Sequence, residues 1–476
     1  MNPDARYDVC IVGGGPAGSV TALRLAKLGY RICVIERFLF PRPHVGESLT
    51  PGAYPILDVL GLRGSILALE LAEPEEMRLR WATPTTERLA TGQRGTGLMV
   101  DRAVFDTVLL QAAAAAGARV FQPAQVRSTN QKADGWHMEL AVDGRPYQLN
   151  AAFVVDATGR KGFFRRSRRR LAPRTVALCG YLDGRKLPRA TLVEAFSDGW
   201  CWAAPIPGGL LSTMVFLDPA SIRYLRPGGL ETLWRSYLAK TALFADLACA
   251  PAVHPPTLCD ASAYYDQHPV GQALIRVGEA NFALDPLSST GVEKAMQTGL
   301  FAALVLHTTM LRPERAGMCE RFYRDRSQEA VAAHIQWSSN FYAAVERFRH
   351  HSFWAARAVG AKYRPEGSSL PPDIKSNPIS LGTRMRVSDL VRLIEEPCII
   401  GDEIRSHAAL LHPSLGRPVA FVEGAGIDDL LRPVSVAADL EGILTAWSRQ
   451  MPPAQARRAA AWMLKNQILE PVAPSS

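Results

Sequence analysis

The chain has 476 residues, 47% of them apolar and 21% charged, with a formal net charge of +9. A sequence of this length and composition can bury a large core, which excludes disorder, a mini-protein scaffold and a collagen-like fibre. The eight cysteines, from Cys10 to Cys398, include no CxxC pair and are too sparse for a disulfide framework, so reduced thiols are expected.

At about 150 residues per domain, the length suggests a two-lobed core with an appendage. No charged and apolar leader precedes the first strand-like run, Tyr7 to Val12. The longest membrane-like stretch, Thr298 to Leu311, is too short to cross a bilayer. A cytoplasmic protein with no membrane partner is expected.

Tyr7 to Val12 runs into Gly13-Gly-Gly-Pro-Ala-Gly18, a strand entering a glycine-rich turn, and Val20 to Leu28 supplies the following helix, stopped by Gly29. Arg31 to Ile35 reads as a second parallel strand ending at Glu36, completing a βαβ unit. Gly13 permits the tight turn, Gly15 lets backbone approach a pyrophosphate, Gly18 allows close helix packing, and Glu36 can accept ribose hydroxyls. The free N–H groups and positive dipole end of the helix complete an anion site.

A Pro- and Gly-rich segment from Arg37 to Pro51 contains Arg42, His44, Glu47 and Ser48 and reads as a loop. Beyond it come an amphipathic stretch near Pro55 to Leu71, a strand-like Met77 to Trp81, and Asp101-Arg102 leading into a helix over Ala103 to Ala116, ended by Gly117. Strands are expected at Arg119 to Gln122 and Trp136 to Val142, and at Phe153 to Asp156 before the turn Ala157-Thr-Gly159. A hairpin pattern spans Leu192 to Leu217, with Trp200 and Trp202 at i, i+2 on one side, either as an aromatic wall or as a core pair. Leu274 to Val277 is a strand ending at Gly278-Glu279, and Asp285-Pro286-Leu-Ser-Ser289-Thr-Gly291-Val292 opens a helix.

These motifs resemble the FAD-dependent monooxygenases of the hydroxylase and halogenase type, over roughly residues 5 to 345. The run from Asp285 to Ala295 is closer still to the flavoproteins of tryptophylquinone cofactor biogenesis, as in the quinohemoprotein amine dehydrogenase system. The resemblance implies an α/β fold in which a Rossmann-like FAD lobe, about 1–75, 99–175 and 270–345, interleaves with a mixed β-sheet substrate lobe, about 76–98 and 176–269. It implies FAD contacts at Gly13, Gly15, Pro16, Ala17, Gly18, Glu36, Arg37, Arg42, Ser48, Arg102, Val126, Gly278, Glu279, Pro286, Ser289, Gly291 and Val292. Glu279 departs from the family's usual Asp by one methylene. The helix start near Ser289 to Gly291 would face the flavin edge that becomes anionic on reduction, which suits the positive end of a helix.

Trp200, Trp202, Glu47 and His44 are the candidates for the substrate side, with Glu47 either a proton acceptor or a structural hydrogen-bonding group and His44 either a base or a plain loop residue. Halogenases of this fold use a lysine from the N-terminal portion, and no lysine lies between Lys27 and Lys132; Ala283 also stands where their motif carries phenylalanine. Halogenation is therefore disfavoured against oxygen insertion, which needs reduced FAD and O2 as co-substrate. No second nucleotide fingerprint is present, so the flavin would be reduced by transiently bound NAD(P)H or by a separate reductase.

The implied reaction is hydroxylation of a tryptophan in a small protein subunit. A small-molecule aromatic hydroxylase, a flavin-dependent halogenase or reductase, and a non-catalytic FAD-binding assembly factor remain as alternatives. The basic cluster Arg160-Lys161, Arg165-Arg166, Arg168 to Arg170 and Arg174 could steer an acidic partner or be a solvated loop, and no nucleic-acid module surrounds it. His350-His351 is read on a helix, where adjacent side chains point apart, and no metal site is expected. Residues 364–380 read as a linker and 381–476 as a mainly helical, winged-helix-like domain, with helices over Arg384 to Glu396, Asp402 to Leu411, Leu440 to Arg449 and Ala454 to Asn466 and a strand at Pro418 to Val422.

Overall fold

The computed structural model describes residues 6–90, 97–164, 167–223, 229–359, 380–435 and 439–472. The chain opens with β1 (Arg6–Val12), α1 (Pro16–Lys27) and β2 (Ile32–Ile35). β3 (Glu76–Arg80) leaves for the second sheet, and α2 (Arg102–Ala115) returns to the first. Asp101 caps α2 by accepting from the Ala103 N–H at 2.7 Å, and Gly117 at φ +104° stops the chain just past its end. β4 (Arg119–Phe121), the hairpin β5 (Ala124–Lys132) and β6 (Gly135–Val142), and β7 (Arg145–Asp156) follow. β5 was not foreseen.

The lobe expected to hold substrate contains β8 (Val176–Asp183), β9 (Ala190–Phe196), β10 (Gly199–Ile206), β11 (Leu210–Leu217), α3 (Gly229–Ala239) and β12 (Ala252–Asp260). The expected hairpin is thus a three-stranded meander. The chain returns through β13 (Leu274–Arg276), α4 (Gly291–Leu311), α5 (Ala316–Ala343) and α6 (Ser352–Arg357).

The first sheet runs β13, β7, β1, β2, β4, with the parallel register Val12↔Asp156 and Val12↔Ile35 bringing three strand ends level. Its central strands are near-continuous apolar runs because both faces are covered, and β1 and β2 are buried almost throughout. The second sheet runs β12, β8, β11, β10, β9, β3, with Glu87–Ala90 at the edge, and is antiparallel except where β3 meets β9. One of its faces packs Leu178, Leu192 and Val215 against α3, whose Trp234 is fully buried over Gly180. The opposite face carries Ala177, Cys179, Phe216 and Trp200.

The chain divides into two compact units, one of Met1–Met310 with Tyr323–Pro365 and one of Leu311–Phe322 with Glu366–Ser476. In the second unit β14 (Arg392–Ile400) and β15 (Glu403–Leu411) form a hairpin, so the helices expected over Arg384 to Glu396 and Asp402 to Leu411 are corrected to strands. Gly401 at φ +60° opens the two-residue turn that joins them, and Pro397 cannot donate to a helical ladder. α7 (Leu440–Trp447) and α8 (Pro453–Lys465) match their expected spans and bury Trp447, Ile443 and Met463. His350 and His351 lie in the turn before α6 rather than within a helix, His351 being its N-cap. The linker expectation, apart from Ser380, and Arg165-Arg166 lie outside the described residues. No described helix is long and apolar enough to cross a membrane.

Candidate cofactor and substrate site

The glycine turn is shaped by backbone contacts. Gly13 sits at φ +112°, where a Cβ would lie 2.3 Å from the Ala157 carbonyl oxygen, and a Cβ on Gly18 would lie 2.0 Å from the Gly13 oxygen. Over Gly15 the space is open except for the Arg42 guanidinium, 3.6 Å from the Cβ position. Gly15 caps α1 without a side-chain bond, Pro16 takes the first helical position, and the next N–H groups have no intrahelical acceptor. Arg42 stacks on Phe40, its guanidinium is 3.7 Å from Asp106, and its buried Nε meets no hydrogen-bond partner among the described residues. An open cradle beside a helix start, with an incompletely satisfied cation above it, fits the pyrophosphate of a dinucleotide.

Glu36 is buried at the end of β2, its Oε2 accepting from the Gly14 N–H at 2.8 Å and its Oε1 from the Phe38 N–H at 3.0 Å. It holds the turn with one lone pair on each oxygen and keeps others for a ribose. Arg37 is exposed over the Phe38 ring, whereas the Val126 side chain is buried in the core beside Phe121 and Trp136.

The loop after β2 is fastened at three points. Arg102, itself paired to Asp106, donates to the Val45 and Gly46 carbonyls at 2.9 and 3.2 Å. Glu47 is 2% exposed, and its Oε1 accepts from the Tyr181 hydroxyl of β8 at 2.7 Å. The Thr50 hydroxyl donates to Glu293 in the first turn of α4. Ser48 is half-buried in a short pairing with Met99. The His44 Nδ1 lies 2.8 Å from the Val45 oxygen, and burial of the ring, with the Arg102 charge second, holds its pKa below the usual value.

Gly278, at φ +56°, donates its N–H to Thr298 of α4 at 2.8 Å. The Glu279 carboxylate pairs with Arg160 at 2.9 Å, while its backbone oxygen receives the Tyr264 hydroxyl at 2.6 Å. Pro286 begins a single 3-10 turn, Ser289 takes φ +54°, Gly291 opens α4 and Val292 is buried behind it. Beneath this start, the buried Asp285 carboxylate accepts from Tyr342 at 3.0 Å, and its backbone N–H donates to His334 Nε2 at 2.9 Å. Burial pushes the Asp285 carboxyl up and holds His334 down at about 4, so His334 is a neutral acceptor. α1 and α4 touch directly: a Cβ on Gly299 would meet the Ala17 oxygen at 2.4 Å, and Thr21 donates to the Gly299 oxygen at 3.0 Å.

Facing this assembly is one side of the substrate sheet. Register places Trp200 opposite Phe216 and Trp202 opposite Met214, so both tryptophans point the same way, as their spacing predicts. Trp200 is 2% exposed and stacked on Phe216 at 3.9 Å, with Trp81 edge-on at 5.9 Å. Trp200 is therefore the packed body of the wall and Trp202 its half-buried margin. Trp81 also meets Trp354 at 5.3 Å and donates its Nε1 to the Phe341 oxygen at 2.8 Å. A cavity of about 220 Å³ adjoins Tyr342 and Trp354. Sequence reading did not find Tyr181, Trp81 or Tyr342 as site residues; their partners are remote in the chain and no spacing signals them.

Residues 6–176 match the FAD binding domain family. The chain is 26% identical over 375 residues to a tryptophan 2-halogenase of Chondromyces crocatus, covering 74% of this chain and 70% of that protein. Among solved structures, the flavin-dependent halogenase CmlS superposes with TM-score 0.78 at 22% identity over 99% of this chain and 98% of that one. QhpG, a peptidyl tryptophan dihydroxylase essential for tryptophylquinone cofactor biogenesis, superposes with TM-score 0.70 at 25% identity over 97% of this chain and 99% of that one. The protein is an FAD-dependent enzyme of mixed α/β fold, similar to flavin-dependent halogenases and to a peptidyl tryptophan dihydroxylase.

Proposed function

We propose that this enzyme hydroxylates an aromatic ring, the preferred substrate being a tryptophan residue of a small protein subunit. The observation that carries the reading is the makeup of the aromatic wall: Trp200, Trp202, Phe216 and Met214 share one face of the second sheet, and none of the strands β3 and β8 to β12 contains a lysine. The likeness to QhpG along nearly the whole chain supports the choice of a peptidyl tryptophan.

When bound, reduced FAD supplies, from O2, the electrophilic oxygen that an electron-rich ring attacks. The chain's own residues do the rest. The α1 start and Arg42 would hold the phosphates, and the α4 start would offer its positive end to the charge on the reduced ring system. The aromatic wall orients the substrate ring and keeps out water. Glu47 lies between the two lobes, where it can take the proton that the ring loses as aromaticity returns, with the Tyr181 hydroxyl fixing that carboxylate. NAD(P)H or a separate reductase would supply the electrons.

The test is to reduce the FAD-loaded enzyme anaerobically, admit air, and map free tryptophan, a phenol and a tryptophan-containing protein subunit by mass spectrometry, each with and without bromide. Oxygen added to a tryptophan peptide, indifferent to bromide, is the expected outcome. Replacement of a ring hydrogen by bromine would overturn it in favour of the halogenase reading that the 26% identity to a tryptophan 2-halogenase otherwise suggests.

A further inference from the structure

Two cysteines share the face of the second sheet that carries Trp200 and Phe216. β8 and β12 pair antiparallel with Ala177↔Cys259 and Cys179↔Thr257, which makes Cys179 and Cys259 diagonal neighbours on one face. Phe216 and Met214, opposite Ala177 and Cys179, continue that face toward the two tryptophans. Cys179 is buried, Cys259 is half-buried, and neither is in a disulfide. The Cys179 thiol donates to the Ala177 oxygen at 3.9 Å, and the interaction between the two thiols is the largest influence on both: it pulls Cys259 down to about 7 and pushes Cys179 well up. Burial opposes the first shift, whereas the Thr257 hydroxyl and the Arg160 charge add to it. Cys259 is thus the more acidic sulfur while its neighbour keeps its proton, the division of labour between an attacking and a resolving thiol.

The arrangement is not shared by the other neighbouring pair. Cys10 and Cys33 face each other across β1 and β2 but are both wholly buried, and burial drives Cys33 upward. Nor is the Cys179–Cys259 pair held rigidly apart. β12 is an edge strand, and its ladder with β8 shifts register just beyond Cys179. Bridging a diagonal pair asks for roughly 1 Å of strand movement, from a Cα spacing of about 7 Å to about 6 Å.

We propose that Cys259 and Cys179 form an oxidation site at which hydrogen peroxide converts a dithiol on the aromatic face of the second sheet to a disulfide. In the first step the Cys259 thiolate attacks one peroxide oxygen, the O–O bond breaks, and hydroxide leaves to take up a proton as water. Sulfur is oxidised by two electrons to the sulfenic acid, and peroxide is reduced. In the second, the Cys179 sulfur attacks the sulfenyl sulfur, the S–S bond forms, the S–O bond breaks, and the hydroxyl departs as water with the Cys179 proton. Peroxide is what reduced flavin and O2 yield when no substrate intercepts the oxygen, so an idling enzyme would tie its own wall. The site does not depend on which aromatic substrate is correct, because the oxidant can be added directly.

The experiment treats the purified full-length protein with hydrogen peroxide, alkylates free thiols, and maps tryptic peptides without reduction. The expected product joins peptide 175–185 to peptide 241–276, with fragmentation placing the link on Cys259 rather than Cys249, and dithiothreitol reverses it. With dimedone present, Cys179→Ser should trap the sulfenic acid on Cys259, at a rate that rises with pH through about 7. Labelling should be several-fold faster than for a model cysteine peptide at that pH, because the lowered pKa leaves more of Cys259 as thiolate. Oxidation falling first on exposed Cys249 would overturn the proposal, as would sulfenic acid on wild-type Cys259 that never proceeds to the linked peptide. Both readouts can be taken on the wild-type protein should a variant fail to fold.

Discussion

The cofactor lobe assembles its site from strand ends and helix starts, and the substrate lobe assembles its site from one face of a sheet. In the first, Gly13, Gly15 and Gly18 matter for the side chains they lack, and the groups on offer are backbone N–H. In the second, Trp200, Trp202 and Met214 matter for what they project from alternate strand positions. A backbone site has few permissible residues and one shape. A face can be re-tiled strand by strand while its ladder stays intact, which is how one fold accommodates different aromatic substrates.

That contrast predicts abrupt failure in one lobe and graded change in the other. Gly18→Ala puts a methyl 2.0 Å from the Gly13 oxygen, so the turn must open. The expected outcome is loss of more than about 100-fold in FAD affinity, read by flavin fluorescence on titration, with a fall in Tm. A variant that purifies yellow with unchanged affinity would remove the basis of the comparison. In the substrate lobe, Trp200→Ala should cost about 3–5 kcal/mol in denaturant unfolding because the indole is 2% exposed within the wall. Trp202→Ala should cost about 1 kcal/mol and chiefly alter which aromatic compound is turned over. Equal costs would show that the wall has no distinct body and margin.

A pH titration sharpens the boundary between the lobes. His334 accepts from the Asp285 N–H beneath the α4 start, and its pKa falls from 6.5 to about 4 in the folded protein. The unfolded chain therefore takes up this proton first as pH drops. The stability from the neutral ring is complete above about pH 6.5, declines toward pH 4, and amounts to up to about 3 kcal/mol. His334→Gln, which keeps an acceptor but cannot titrate, should flatten that part of the stability profile; an unchanged slope would assign it to other groups. Glu47→Gln should leave FAD binding unchanged while product formation per flavin reduced drops about 100-fold, or about 2.7 kcal/mol. Undiminished product would exclude Glu47 as the proton acceptor.

The same contrast governs what could be read from the sequence. The glycine turn, Glu36, Gly278 and the start of α4 were legible because a backbone site writes its requirement into consecutive residues. The wall was legible only where one strand carries the signal, as in Trp200 and Trp202. Tyr181 meets Glu47 from 134 positions away, and Thr50 reaches Glu293 across 243, so neither contact leaves a local trace. The hairpin of β14 and β15 was misread for a different reason: glutamates and alanines favour helix locally, and the Gly401-Asp402 turn outweighed them.

Where α1 and α4 meet, nothing thicker than a glycine separates Gly299 from Ala17. On the proposed placement of FAD each helix begins at one end of the ligand, so their point of contact would act as a fixed gauge for its length. Selection of the whole dinucleotide over a truncated mononucleotide would then reside in a spacing, set at a place that touches no ligand atom, and a single methyl at Gly299 would be enough to mis-set it.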